Sequence, residues 1–339
     1  MEHKPDSREQ THHLDQDKGV EWFFINDKAT TRNVPHQDGK IVEFPASATL
    51  GEALHELAQN GILSAPVWDG KKYLGFVDVF DLMTLAVGVD VLTHLLPQDY
   101  VSKRPKTAKD VEFQKELTLN EALGDGEGFN PWCPVEEGAP LQLVVKLLAT
   151  KARRVPVLSS STGRVVQIIS QSQIAQILAD YVDKAKILDH DQTLTKTGFG
   201  LKPVYSVKDT DLARDAFQLM AEKSISSVCV VDSKTGEVVT ALSTKDIRLL
   251  PKLESVTVSE EKSPFDLTTI QFAQQIRKEE YKTKAACVVV ELDSTLLTVL
   301  AKLAATKVHR VFVVNGQRQP VGVISVSDVV VALQQAQPQ

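Results

Sequence analysis

A chain of 339 residues that is 42% apolar and 24% charged, with a formal net charge of −6, has the length for about two to three domains and the composition of a globular protein with a sizeable core. The acidic balance gives no basic nucleic-acid footprint, although a locally basic cleft remains open. Cys133, Cys229 and Cys287 form no CxxC pair, so neither a disulfide framework nor a zinc site is expected; each is read as a small buried hydrophobe of a reducing, intracellular compartment.

The first 34 residues are read as a disordered tail. Met1 to Lys18 is polar and lacks the apolar stretch of a secretory signal, and His12-His13 reads as part of that solvated tail. No run in the chain approaches the ~18 apolar residues of a membrane span.

Four segments then follow one grammar: an extended apolar lead, an amphipathic helix, a short strand, a polar turn, a return strand and a second helix. Unit 1 (35–95) opens with Ile41 to Phe44. Leu50, Ala53, Leu54 and Leu57 form its helical stripe, and Ala65 to Trp68 and Tyr73 to Val77 its strands around Asp69-Gly70-Lys71-Lys72. Its second helix runs from Asp78 to about Val87.

A spacer (96–138) rich in Lys, Asp, Gly and Pro follows, reading as an excursion from the core that ends in a lead around Trp132 to Val135. Unit 2 (139–190) has the stripe Leu141, Val144, Val145 and Leu148, strands Val155–Leu158 and Val165–Ile169, and a helix opened by Ser170. A joint lies near residues 189–200. Unit 3 (196–252) leads with Val204 to Val207, then Leu212, Ala216, Leu219 and Met220, strands Val228–Val231 and Val238–Leu242, and Ser243-Thr244-Lys245-Asp246 at its last helix.

A second insertion (253–284) contains a helical stretch with Ile270, Ala273 and Ile276. Unit 4 (285–337) leads with Cys287 to Val290, then Leu296, Val299, Leu300 and Leu303, strands Val311–Val314 and Val321–Ile324, and Ser325-Val326-Ser327-Asp328. A small sheet with helices on one side leaves its helices' outer faces apolar, so such units are expected to pair, units 1 with 2 and 3 with 4.

Catalytic patterns are missing. Ser159 to Arg164 lacks the Gly-Lys-Ser/Thr ending of a phosphate loop and joins two strands instead of opening a helix. Gly198-Phe199-Gly200 is too short for a dinucleotide fingerprint. No Ser/His/Asp or HExxH arrangement occurs. A non-catalytic protein is expected.

Ala65-Pro66-Val67-Trp68-Asp69 and Val308-His309-Arg310-Val311-Phe312-Val313-Val314, followed by Gly322-Val323-Ile324-Ser325-Val326-Ser327-Asp328, resemble cystathionine-β-synthase (CBS) domains. The four-copy chain is similar to gamma subunits of AMP-activated protein kinases over roughly residues 35–336. The resemblance implies a mixed α/β fold of four tandem β-α-β-β-α units forming two Bateman pairs in a disk, with nucleotide clefts between paired units. It implies AMP, ADP or ATP as ligands, kinase catalytic and beta-type scaffold subunits as partners, and a cytoplasmic and nuclear location. No cofactor or metal, nucleic acid or membrane is expected.

By the same resemblance, an Asp at the start of each last helix holds the ribose diol: Asp328, Asp246 and Asp81. His309, Arg310, Ser325 and Ser327 hold phosphate, joined by Arg153 and Arg154, while Gln173 marks unit 2 as lacking a ribose acid. The chemistry fits, because one carboxylate can accept both hydroxyls of a diol, and a helix N-terminus with serine hydroxyls and a guanidinium suits phosphate. The plainer reading of Ser-x-x-Asp is a helix cap. Asp78 and Leu63 depart from the pattern, one adding negative charge and the other removing a basic residue. A scaffold with degenerate clefts, acting through protein contacts alone, is the alternative.

Overall fold

The computed structural model describes residues 29–36, 40–87, 118–123, 131–150, 152–185, 191–248, 264–281 and 287–335. The tail to residue 28, with His12-His13, most of the 96–138 spacer, and residues 249–263 lie outside the described residues.

Unit 1 comprises β1 (Phe44–Pro45), α1 (Leu50–Gln59), β2 (Ser64–Trp68), β3 (Tyr73–Asp78) and α2 (Val79–Val87), followed by α3 (Leu119–Leu123). Unit 2 comprises β4 (Val135–Glu136), α4 (Leu141–Thr150), β5 (Arg154–Leu158), β6 (Val165–Ser170) and α5 (Gln171–Ala185). After α6 (Leu194–Thr197), unit 3 has β7 (Ser206–Lys208), α7 (Ala213–Glu222), β8 (Ser227–Val231), β9 (Val238–Ser243) and α8 (Thr244–Ile247). After α9 (Thr269–Tyr281), unit 4 has β10 (Val289–Glu291), α10 (Leu296–Thr306), β11 (Arg310–Val314), β12 (Pro320–Ser325) and α11 (Val326–Gln335).

Each unit builds one three-stranded sheet in which the lead strand runs parallel to the first hairpin strand and the hairpin is antiparallel. The leads begin two or three residues later than the apolar runs suggest and end one residue beyond them. In each unit the first hairpin strand begins one residue earlier, at a polar residue facing the opening of the last helix: Ser64 opposite Asp78, Arg154 opposite Ser170, Ser227 opposite Ser243, Arg310 opposite Ser325.

Helical periodicity places the core with one shift. In unit 4 the stripe Leu296, Val299, Leu300 and Leu303 is buried, as is Leu141, Val144, Val145 and Leu148 in unit 2. In unit 3, Leu212 is the cap of α7 and 37% exposed, and the buried stripe is Ala213, Ala216, Phe217 and Met220. A residue just outside the helix has no fixed face, so its i, i+4 match is accidental.

The units close into a ring through two kinds of interface. Consecutive units meet by their sheets. Tyr73 of unit 1 stacks on Trp132 of the unit 2 lead, with centroids 4.7 Å apart, and accepts the Val165 N–H at 3.1 Å. In units 3 and 4, Cys229, Val238, Phe312 and Val314 share one small cluster, and Val238 N–H donates to Arg318 O at 2.9 Å. Helices join the alternate units: α2 packs on α7 and α8, while α10 and α11 pack on α5 and α4. One core therefore serves units 1 and 3 and another units 2 and 4. Trp68 lies edge-on to Tyr73 with Arg164 over its ring at 4.2 Å, and so takes part in this sheet interface.

Each unit is completed by a segment that precedes its sheet-paired neighbour. Residues 29–34, expected in a disordered tail, pack on unit 2: Ala29, Thr31 and Val34 are buried, and Leu141 N–H donates to Ala29 O at 2.8 Å. The spacer likewise returns to unit 1, where Leu119 is fully buried and its N–H reaches Ala48 O at 2.7 Å. In the other pair α6 docks on unit 4 through Leu194, and α9 docks on unit 3 through Phe272, Ala273 and Ile276. The exchange pairs backbone groups beside the first helices: in units 2 and 3 Leu141 and Ala213 N–H donate to the docked segments, and in units 1 and 4 Leu119 and Leu194 N–H of those segments donate to the unit.

Between the pairs, the joint is fixed on unit 4 by a close backbone approach. Gly200 adopts φ +76°, and a Cβ there would lie 2.0 Å from Ile324 Cγ1; one on Gly322 would lie 2.5 Å from Gly200 O. Only glycine fits at both positions, and Val323 N–H donates to Gly200 O at 2.9 Å. This contact places the following residue pair, Leu201 and Lys202, beside α11.

Candidate ligand-binding cavity at the junction of four units

The equivalence of the hairpin starts determines what the ring encloses. In units 2 and 4 the first strand opens on Arg153-Arg154 and His309-Arg310. In unit 3 it opens on Ser226-Ser227, and in unit 1 on Leu63-Ser64. These openings converge on one cavity of about 370 Å³ whose wall draws on all four units and the joint. All six residues read from sequence as phosphate ligands line it: Arg153, Arg154, His309, Arg310, Ser325 and Ser327. The N-termini of α5 and α11 face the same space through Ser170 to Ser172 and Ser325 to Ser327, adding partial positive charge from two helices of ten residues or more.

Each cation is held in place by neighbours. Arg310 donates to Ser227 O at 3.1 Å and to Ser226 Oγ at 2.5 Å, both neutral oxygens. Arg154 pairs with Asp78 at 2.9 Å. Arg153 lies over the Phe80 ring, 5.3 Å from its centroid. Burial, then the Arg153 charge, lowers the Arg310 pKa to about 10, still far above neutral. His309 is pushed down to about 3 by burial first and then by Lys245, Arg154, Arg310 and Arg153. It is therefore a neutral imidazole at pH 7, with a hydrogen-bonding ring nitrogen to offer but no charge.

The three aspartates behave differently. None of them lies in the cavity wall. Asp328 Oδ2 caps α11 by accepting from Ser325 N at 2.8 Å and Ser325 Oγ at 2.7 Å, while Oδ1 accepts from Lys202 Nζ, itself in the cavity wall, at 2.6 Å. Burial opposes its charge, but the bonds from Lys202 and Ser325 outweigh this and hold its carboxyl below the usual range. Asp246 forms the same cap with Ser243 and is buried. Asp81 accepts from Asp78 N at 3.0 Å, and burial followed by the Asp78 charge raises it to about 8. A carboxyl mostly protonated at neutral pH is a poor acceptor for a diol. Gln173 of unit 2 completes the series as an uncharged cap on Ser170.

Sequence reasoning missed several wall residues. Ser226 and Ser227 occupy the positions of His309 and Arg310 and are found by aligning the four repeats. Lys202 lies just after the joint, where no repeat flags it, and Tyr205 lies in the unit 3 lead, where the pattern shows only an apolar run. Tyr205, 44% exposed, lines the cavity together with Val204 and Ile225 and adds apolar surface to its wall.

The neutral His309 makes a testable pH dependence. Below 6.5 an unfolded chain protonates this residue while the folded one, with a pKa of about 3, does not, so its share of stability is present above 6.5 and lost as pH falls toward 3. His309→Gln should remove a loss of about 2 kcal/mol between pH 7 and pH 5, read as urea denaturation midpoints. An equal loss in both proteins would contradict the buried neutral state.

The family model of the CBS domain matches residues 34–88, 200–251 and 279–335. Unit 2, outside those ranges, has the same strand order and helix placement as the other three. The chain is 22% identical over 302 residues to "5'-AMP-activated protein kinase subunit gamma" of Dictyostelium discoideum, covering 86% of this chain and 49% of that protein. It is 21% identical over 340 residues to "SNF1-related protein kinase regulatory subunit gamma-1" of Arabidopsis thaliana, covering 87% of this chain and 79% of that protein. It spans about half the length of several other curated relatives it matches. Among solved structures, a Methanocaldococcus jannaschii protein described as a candidate archaeal homologue of the AMPK gamma subunit shares the fold, with a TM-score of 0.65, 14% identity and coverage of 89% of this chain and 98% of that one.

Proposed function

From a chain built of CBS domains and homologous to kinase gamma subunits, we propose a non-catalytic regulatory subunit that senses adenine nucleotides in its central cavity as part of an AMP-activated or SNF1-type kinase complex. One observation carries this reading: three arginines, two serines and the neutral His309, from two non-consecutive units, converge on a single cavity. The phosphate sits on Arg310 and Arg153 and at the N-termini of α5 and α11, with His309 donating a neutral N–H. The base lies against Tyr205, Val204 and Ile225. The ribose diol takes Asp328 Oδ1 in place of Lys202, whose ammonium then turns to the phosphate.

Such a ligand touches units 2, 3 and 4 at once, so it favours the arrangement of the ring in which the wall is closed. The catalytic and beta-type subunits would read that arrangement, in the cytoplasm and nucleus. Asp328→Ala should weaken AMP binding by ~1.5–3 kcal/mol, about ten- to hundredfold, through loss of charge-assisted bonds. Loss of the cap should cost the fold only about 1 kcal/mol. Equal AMP affinity in the two proteins, measured by titration calorimetry, would reduce Asp328 to a cap.

The ion pairs Asp78–Arg154 and Asp328–Lys202 favour a second reading, in which the cavity is neutralised internally and the chain is a scaffold acting through protein contacts. That reading requires no thermal stabilisation by millimolar AMP, ADP or ATP, whereas a sensor is stabilised by mass action.

A further inference from the structure

In units 2, 3 and 4 the last helix opens on a serine, Ser170, Ser243 or Ser325, facing the start of the first hairpin strand. Unit 1 breaks this rule with Asp78. Its Oδ2 accepts from Arg154 Nη1 at 2.9 Å and its Oδ1 from Phe80 N–H at 2.8 Å. The carboxylate is thus held at both oxygens, with its side chain 9% exposed and that of Arg154 17% exposed. Both residues line the cavity. Asp81, three residues on, is raised to about 8 by burial and by Asp78 and adds little charge at pH 7. A fixed negative charge therefore stands among the arginines of units 2 and 4.

We propose that Asp78 is a built-in counter-anion of the phosphate site, occupying Arg154 and limiting the phosphate charge the cavity accepts, so that the chain prefers a nucleoside monophosphate to a triphosphate. The inference rests on the proposed placement of phosphate in this cavity, and not on recognition of the base. Each further ligand charge is repelled by Asp78 across a medium that screens less than bulk water, and competes with it for one guanidinium. An ion pair with a purely structural role would change stability on replacement and leave the ranking of anions untouched.

The test titrates phosphate, pyrophosphate, tripolyphosphate, AMP and ATP into the full chain and into Asp78→Ser and Asp78→Asn, with folding checked by circular dichroism. Asp78→Ser installs the residue of the other three caps. The native chain should bind AMP more tightly than ATP, a comparison that needs no variant, and the reverse order overturns the proposal. In both variants affinity for tripolyphosphate and ATP should rise on the order of tenfold or more, and for phosphate and AMP by less than about threefold. Equal changes across the series, or no tripolyphosphate binding by any of the proteins, overturn it as well. The inorganic anions separate the two claims: a selective gain for tripolyphosphate with no AMP binding sinks the adenine reading alone, and AMP binding without that selective gain sinks the role of Asp78 alone.

Discussion

Arg310→Ala is expected to cost the chain about 30-fold to several thousandfold in affinity for AMP, the equivalent of about 2–5 kcal/mol. Arg310 begins β11 opposite Ser325, and its head is fixed by Ser227 O and Ser226 Oγ. A guanidinium already oriented by neutral oxygens loses little freedom when a phosphate arrives, so most of its attraction appears as affinity. Arg310→Lys keeps the charge but not the planar fork, and should recover only part of the loss. Calorimetric titration of the three proteins checks both statements. Full recovery by lysine would mean that the site reads charge alone, and an unchanged affinity in Arg310→Ala would remove Arg310 from it.

The largest effect on stability is expected from Phe272→Ala, at about 3–5 kcal/mol. Phe272 is fully buried although it belongs to the insertion before unit 4. It packs edge-on against Phe217 of unit 3, with centroids 5.2 Å apart, and stacks near Phe265 at 6.1 Å. Its contribution is therefore to a unit other than the one its segment leads into. Urea denaturation measures the loss. A cost below about 1 kcal/mol would show that α9 is an appendage to unit 3 and not a part of its core.

Much of the fold was legible because each unit repeats two periodicities, 3.6 for the helices and apolar runs of strand length for the hairpins. The stripe Leu296, Val299, Leu300 and Leu303 and its unit 2 counterpart translate directly into buried faces. The exchanged segments were not legible for a physical reason. Ala29 and Leu119 bury one side chain each against a neighbour far away in the chain, and a single apolar residue carries no period. The pairing of units was half legible: the helix faces do seek covers, but they find them in alternate units, while consecutive units meet through their sheets.

The basic wall of the cavity was legible residue by residue, because Arg153, Arg154, His309 and Arg310 stand at repeat positions and all line it. The surroundings of the aspartates were not. Ser-x-x-Asp encodes the helix cap in every unit that has it, and burial decides what else the carboxylate does. Beside Asp78, Asp81 is driven toward its neutral form, whereas Asp328 keeps one oxygen for Lys202. That lysine lies just after the joint, placed by the Gly200–Gly322 contact, and no local pattern announces it.

Titration of AMP into the purified full chain by isothermal calorimetry tests the account most directly. Saturable binding that disappears when Arg153 and Arg310 are replaced together is the result expected of a phosphate site shared by units 2 and 4. Absence of any heat or stabilisation at millimolar AMP, with the chain folded, would contradict it.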